Sequence, residues 1–202
     1  MENGIFPHGL IGYNPDLPEI PYDPKTAVKL LAEAGYPDGF EMDVTVRNTS
    51  TQWDMARMKM AVSMWAEIGI KANIKIIDES EFMDLRKAGK VECYTATWTA
   101  DYNDPDNFIF TFFGNTENTT NRSLCYPDQK VMDRVRKARN IVDEDARIKE
   151  YQDLEKTIVQ DDAAWIPLLS RKRYYVVGNR IKNFHSAWNG SVKTVFRYME
   201  LE

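Results

Sequence analysis

An α/β fold with a β-α-β-α-β core is what this sequence predicts, and three observations lead there. Residues alternate between apolar and polar at 40–46 and 70–76, the period of a half-buried strand, and 91–98 reads as a third strand. Before and between these runs, apolar residues recur three and four apart, as on a helix packed along one face. Gly35, Gly69 and Gly89 close the helical stretches, where a residue without a Cβ ends a helix at least cost. Strands alternating with helices pair in parallel, because each crossover brings the chain back to the same end of the sheet.

The elements follow in order. Five of the nine prolines and three of the ten glycines fall within 4–24, which marks an irregular, extended opening. Asp23 is placed as an N-cap with Pro24 at the first helical position, and Ala27, Leu30, Leu31 and Ala34 form a stripe. After the turn at 36–39, Phe40, Met42, Val44 and Val46 alternate with polar residues as the first strand. A helix is expected over about 52–67, with Met58, Ala61, Trp65 and Ile68 on its buried face, widened by Met60 and Met64. The methionines at 55, 58, 60 and 64 read as core filler rather than as a metal or peptide surface. A strand at 70–76, a short helix at 81–88 and a third strand at 91–98 complete the alternation.

Downstream, 107–113 is an aromatic cluster near a helix that starts about Asp106, followed by a polar stretch at 115–123. Two further long helices are expected. One carries Val131, Met132, Val135, Ala138, Ile141 and Val142, and the next carries Ile148, Tyr151, Leu154, Ile158 and Val159. The acids at 143–145 favour the N-terminus of the second. Segments 164–169 and 174–177 are strand-like, with Pro167 at a strand edge.

Composition narrows the function. At 202 residues with 43% hydrophobic and 28% charged residues, the chain is that of a folded globular protein. A net charge of -5 gives no electrostatic footprint for a phosphate backbone, so nucleic acid is not an expected partner. No run of about 18 apolar residues is present, and the first residues lack the basic and apolar regions of a signal peptide. Leu201-Glu202 reads as a possible tag scar. Cys93 and Cys125 are too few and too far apart for a zinc or redox motif. A single bridge between them and two separate thiols are both open readings.

Catalysis lacks its usual markers. His8 and His185 lie in expected loops, and no nucleophile elbow, zinc-binding helix or phosphate-cradling glycine loop occurs. The run Asp101-Tyr102-Asn103-Asp104-Pro105-Asp106-Asn107 alternates oxygen ligands as a calcium loop does. It has proline in the fifth position, no glycine in the sixth and no glutamate in the twelfth, so no metal and no cofactor are expected. A hydrolase using Asp101 and Asp104 as paired carboxylates is the reading left for an enzyme.

Five stretches, taken in order, resemble extracellular solute-binding protein family 5, the peptide- and nickel-binding components of bacterial ABC importers. They are 7–13, Tyr22-Asp23-Pro24-Lys25-Thr26-Ala27 running into 30–39, Trp65-Ala66-Glu67-Ile68-Gly69-Ile70, 98–108 and Ala163-Ala164-Trp165-Ile166-Pro167-Leu168. The resemblance implies the C-terminal lobe of a bilobed receptor of the type II periplasmic-binding-protein kind. On that reading 1–24 is an inter-lobe connection, 25–170 the ligand-facing α/β lobe, and 171–202 a segment returning toward an N-terminal lobe that is missing here. It further implies capture of short peptides, delivery to the membrane subunits of an ABC permease, and a periplasmic or extracellular location, with lipid anchoring as one option. Another solute on the same fold, a nickel chelate or an oligosaccharide, is the alternative.

The family's Trp-x-x-Asp motif falls on Trp98 and Asp101, which the resemblance implies line the ligand cleft, Asp101 taking a peptide's α-ammonium. Independently, a carboxylate at the end of a sheet strand faces the crevice where open α/β sheets bind ligands. Asp101 as a helix cap is the competing structural reading, and Asp104, Asp106 and Asn107 are assigned mainly to capping. Arg47, at the end of the first strand, is the candidate for a ligand carboxylate, with a solvated surface arginine as the bland alternative. Tyr102 and Trp188 are further cleft candidates.

Overall fold

The structure is a computed structural model that describes residues 2–172, 174–187 and 198–202; Trp188 lies outside the described residues. The chain forms two compact units. The first gathers Met1–Glu19, Trp98–Asn115 and Asp128–Glu202, and the second gathers Ile20–Thr97 and Thr116–Pro127. Residues 25–170 contribute to both units, and residues 2–19 belong to the first.

The second unit holds the predicted alternation. Its elements are α1 (Pro24–Glu33), β1 (Glu41–Arg47), α2 (Gln52–Ala66), β2 (Lys71–Ile77), α3 (Glu79–Lys87) and β3 (Cys93–Tyr94), with α5 (Thr116–Thr120) joining it from further along the chain. The sheet order is β2-β1-β3 and both pairings are parallel, with Val44 opposite Ile74 and Cys93. Strand alternation sends Val44 and Val46 to a core with Met58 of α2, backed by Met42, Met55, Trp65, Ala72 and Ile74. The odd positions of β1 carry polar pairs instead: Asn73 donates to Glu41 at 2.7 Å, and Lys75 pairs with Asp43. A capping box of Thr51 and Asp54 starts α2.

Gly39 and Gly69 explain how β1 and β2 begin side by side. Gly39 has φ +79°, and a Cβ there would lie 2.0 Å from the Gly69 carbonyl oxygen. Both the backbone conformation and the space demand glycine.

Several expectations need correction. The third strand pairs only at Cys93 and Tyr94, not along 91–98, so Asp101 follows an irregular segment rather than standing at a strand's end. Met60 is 61% exposed: two residues beyond Met58 on a 3.6-residue period, it points to the opposite side of α2. No residue of α1 is buried, and Leu30 of its apolar stripe is exposed. Among the described residues 164–169 and 174–177 form no strand, and Ile166 and Val176 face outward. An extended apolar run becomes a strand only against a hydrogen-bonding neighbour. Cys93 and Cys125 are both free thiols, and Cys125 is exposed.

The first unit is built on α4 (Asp106–Phe113), α6 (Gln129–Ala138) and α7 (Glu144–Lys156), the last prolonged by a π-helical turn at Thr157–Asp161. The predicted aromatic cluster is α4 itself, with Phe108, Ile109, Phe112 and Phe113 buried. Val131, Met132, Val135 and Ala138 of α6 and Tyr151 and Leu154 of α7 complete this core. Asp143 caps α7, accepting from the Ala146 amide at 2.8 Å, and two acids occupy the first turn. A short antiparallel pair, β4 (Ile181–Lys182) with β5 (Glu200–Leu201), lies near the end of the chain.

Residues 3–18 are tied to α7 and its π-turn by polar side chains. Gln152 donates to the Gly12 carbonyl at 3.2 Å, and Gln160 to the carbonyls of Asn3 and Pro18 at 3.2 and 2.7 Å. Glu155, 1% exposed, accepts from the Ile5 and Phe6 amides at 2.6 and 2.8 Å. Gly4 leaves it room, since a Cβ there would stand 2.4 Å from the Glu155 Oε1.

Burial pushes the Glu155 carboxyl up to about 7, against the two backbone donors that favour its charged form. A carboxyl raised in the folded state binds a proton the unfolded chain has already released, so its contribution is largest below its ordinary value of 4.5. That contribution is lost as pH rises toward about 7. Glu155→Gln removes this dependence while keeping an acceptor oxygen. The difference in melting temperature, variant minus wild type, is expected to grow between pH 5 and pH 8 in paired scanning calorimetry. At the sheet, Gly39→Ala should lower the unfolding free energy by more than about 1 kcal/mol in urea titrations.

Candidate functional site

Trp98, Asp101 and Tyr102 come together in the first unit on the loop that leads into α4. The loop is short of regular structure but rich in side-chain bonds. Asp104 Oδ1 accepts from the Asp106 amide at 2.8 Å, a bond to the first residue of α4 made from one position before its N-cap, Pro105, rather than from the cap itself. The same carboxylate takes both guanidinium nitrogens of Arg147 at 2.8 Å each, a fork-on-fork pair that fixes its plane. Asp104 holds the Arg147 pKa above its usual value, and the guanidinium lies 4.9 Å from the Tyr151 ring centre. Asn103 accepts from the Ile11 amide at 2.8 Å, and Gly12, with φ +88°, passes against Pro105.

Asp106 and Asn107, expected as caps, are instead the first two residues of α4, and their side chains turn to other partners. Asp106, 6% exposed, accepts from the hydroxyls of Tyr102 at 3.0 Å and Tyr151 at 3.1 Å, and pairs with Arg139 Nε at 3.0 Å. Burial first, and then the Asp106 charge, drives the Tyr151 pKa upward, so this hydroxyl stays a donor at any physiological pH. Asn107, 2% exposed, accepts from Trp98 Nε1 at 2.8 Å and from the Asp101 amide at 3.2 Å. The Trp98 ring packs edge-on against Phe112 at 5.1 Å, and Phe112 against Trp165 at 4.6 Å.

One acid of the run is left over. The Asp101 side chain is exposed, and among the described residues nothing pairs with its carboxylate. Trp98 is 39% exposed and Tyr102 48%, so each keeps an open face despite its anchored polar end. The arrangement offers an unpartnered anion beside an indole and a phenol ring, suited to a cation with apolar substituents. Paired-carboxylate chemistry finds no second open acid in the loop, since Asp104 is held by Arg147 and Asp106 by two tyrosines and Arg139. Among the described residues no cluster of three or more histidine, cysteine or acidic side chains could hold a metal ion, and no helix is long and apolar enough to cross a membrane.

Arg47 belongs to the second unit. Its Nη1 donates to Glu79 at 3.2 Å and its guanidinium stands 5.4 Å from the Phe82 ring centre. Hydrogen bonding from Thr49, with a smaller share from Arg47, lowers the Glu79 pKa despite desolvation. Arg47 is thus a half-exposed, paired cation in this structure.

Arg139, Arg147 and Tyr151 brace the loop without having been singled out as site residues. One signal pointed to them. Arg147 lies four residues before Tyr151, which puts a cation on the buried stripe of α7, where a charge needs a partner.

The sequence model of the bacterial extracellular solute-binding proteins, family 5 (middle), matches residues 2–120. The chain belongs to that family. The heme-binding protein A of Haemophilus influenzae is 28% identical over 181 residues, covering 88% of this chain and 33% of that protein. The dipeptide-binding protein of Escherichia coli is 28% identical over 186 residues, covering 89% and 34%. Among solved structures, HbpA2 of Haemophilus parasuis superposes with a TM-score of 0.79 at 29% identity, over 98% of this chain and 39% of that one. DppA of Helicobacter pylori, bound to the peptide STSA, gives 0.75 at 25% identity, over 98% and 38%. The chain therefore spans about one third of the length of its curated relatives, and it carries the parallel α/β architecture of the type II binding proteins.

Replacing Arg147 leaves the half-buried Asp104 carboxylate without its fork. Arg147→Met is expected to cost about 1–3 kcal/mol in denaturant titrations, and Arg147→Lys an intermediate amount because charge survives but bidentate geometry does not.

Proposed function

We propose that the protein containing this chain captures short peptides outside the cytoplasmic membrane and hands them to an ABC permease. The reading rests on the lone open carboxylate of the loop. Asp101 is exposed and unpaired among the described residues, while every neighbouring acid is committed. A peptide's α-ammonium satisfies such a group, and the pairing strengthens as closing lobes expel water. Trp98 and Tyr102 supply apolar walls that tolerate varied side chains, while the charge reads the main-chain terminus. The dipeptide-binding protein and the peptide-bound DppA among the relatives favour peptides. The partners on this reading are the peptide, the permease and the remaining lobe of the same protein, and no covalent chemistry is involved.

A second reading, a different solute on the same fold, is favoured by the heme-binding relative at comparable identity. Calorimetry on the full-length protein separates the two. Free dipeptides are expected to bind about ten- to a hundredfold more tightly than their N-acetylated forms, the worth of one charge-assisted bond. Asp101→Asn should erase that ratio. Equal affinities for both forms, or binding of heme with no response to dipeptides, would sink the peptide reading.

A further inference from the structure

We propose that Asn107 is the positioning residue of this loop, a single buried carboxamide that fixes Trp98 and the Asp101 backbone together and so holds the residue bearing the Asp101 carboxylate in place for a ligand cation. The inference rests on the reading of Asp101 given above. Its ground is the chemistry of one side chain. A carboxamide oxygen has two lone pairs, and here both are used: one by the Trp98 indole N–H at 2.8 Å, the other by the Asp101 amide at 3.2 Å. Tyr102 is held separately, its hydroxyl donating to Asp106, the neighbour of Asn107, at 3.0 Å. With Asn107 only 2% exposed, water cannot take over these bonds when the amide is removed.

The sequence spacing makes this possible. Asn107 is the second residue of α4, whose Phe108, Ile109, Phe112 and Phe113 are packed in the core, so the amide is carried on a rigid element. Trp98 and Asp101 have no such support of their own. They lie in a segment without helix or strand, and the bonds to Asn107 give them a fixed reference. An oriented carboxylate meets a ligand ammonium without first losing the freedom of its own backbone, which is how pre-organisation raises affinity.

The test uses the full-length protein with dialanine and N-acetyl-dialanine as probes. Asn107→Leu keeps the volume and removes the acceptor. It is expected to weaken dialanine binding about tenfold or more with a smaller effect on the acetylated probe, so the ratio collapses toward that of Asp101→Asn. Asn107→Asp keeps an acceptor oxygen and should retain the ratio. The Trp98 indole N–H resonance, assigned through Trp98→Phe, should shift in the leucine variant and not in the aspartate one. A leucine variant that keeps the wild-type ratio and indole signal overturns the proposal. Should that variant not fold, hydrogen exchange in the ligand-free wild type decides: slow exchange at the Trp98 indole and the Asp101 amide supports the bonds, and fast exchange at both overturns them. Equal wild-type affinities for the two probes would instead refute the ammonium reading, and the exchange result would still decide the role of Asn107.

Discussion

Buried polar atoms must find partners, and the loop before α4 is organised around that requirement. Asp106 and Asn107 are withdrawn from water, and between them they collect two tyrosine hydroxyls, an arginine, an indole N–H and a backbone amide. Leaving any of these unsatisfied costs more than the bond contributes when made, so the network is close to all-or-none. The loop is held by Arg139 at the end of α6, by α7 and by the opening segment. The one acid outside the network, Asp101, is joined to it through its backbone amide.

The acids at 101, 104 and 106 show how environment divides roles among identical side chains. Asp104 has a bidentate arginine, Asp106 sits among hydroxyls and a guanidinium, and Asp101 faces solvent. The same functional group is thus a brace, a hub and an open charge within six residues. Family membership agrees with this division of labour, since a binding protein needs a shaped, unreactive surface rather than a titrating pair. The chain accounts for about a third of its relatives' length.

Much of the fold was legible in the sequence because period is a local property. Alternation at 40–46 and 70–76 became β1 and β2 in parallel register, and the capped segment at Pro24 became α1. What failed depends on partners rather than on period. The run at 91–98 pairs over two residues, the run at 164–169 over none among those described, and Met60 turned outward although its neighbour Met58 is buried. The site divides the same way. Trp98, Asp101 and Tyr102 lie within five residues and could be named together from a motif, whereas Arg139, Arg147 and Tyr151 reach the loop only through helix packing. Asn107 was visible as a capping type, but its actual partners were not.

The grip of Glu155 on the amides of Ile5 and Phe6 joins residues 150 and 149 positions apart in sequence. During synthesis, the opening segment leaves the ribosome long before α7 exists to receive it. The second unit, drawn almost wholly from Ile20–Thr97, can acquire its parallel strands while the first is still waiting for its closing helix. The bonds from Arg147 and Tyr151 that hold the loop before α4 likewise cannot form until α7 has been made.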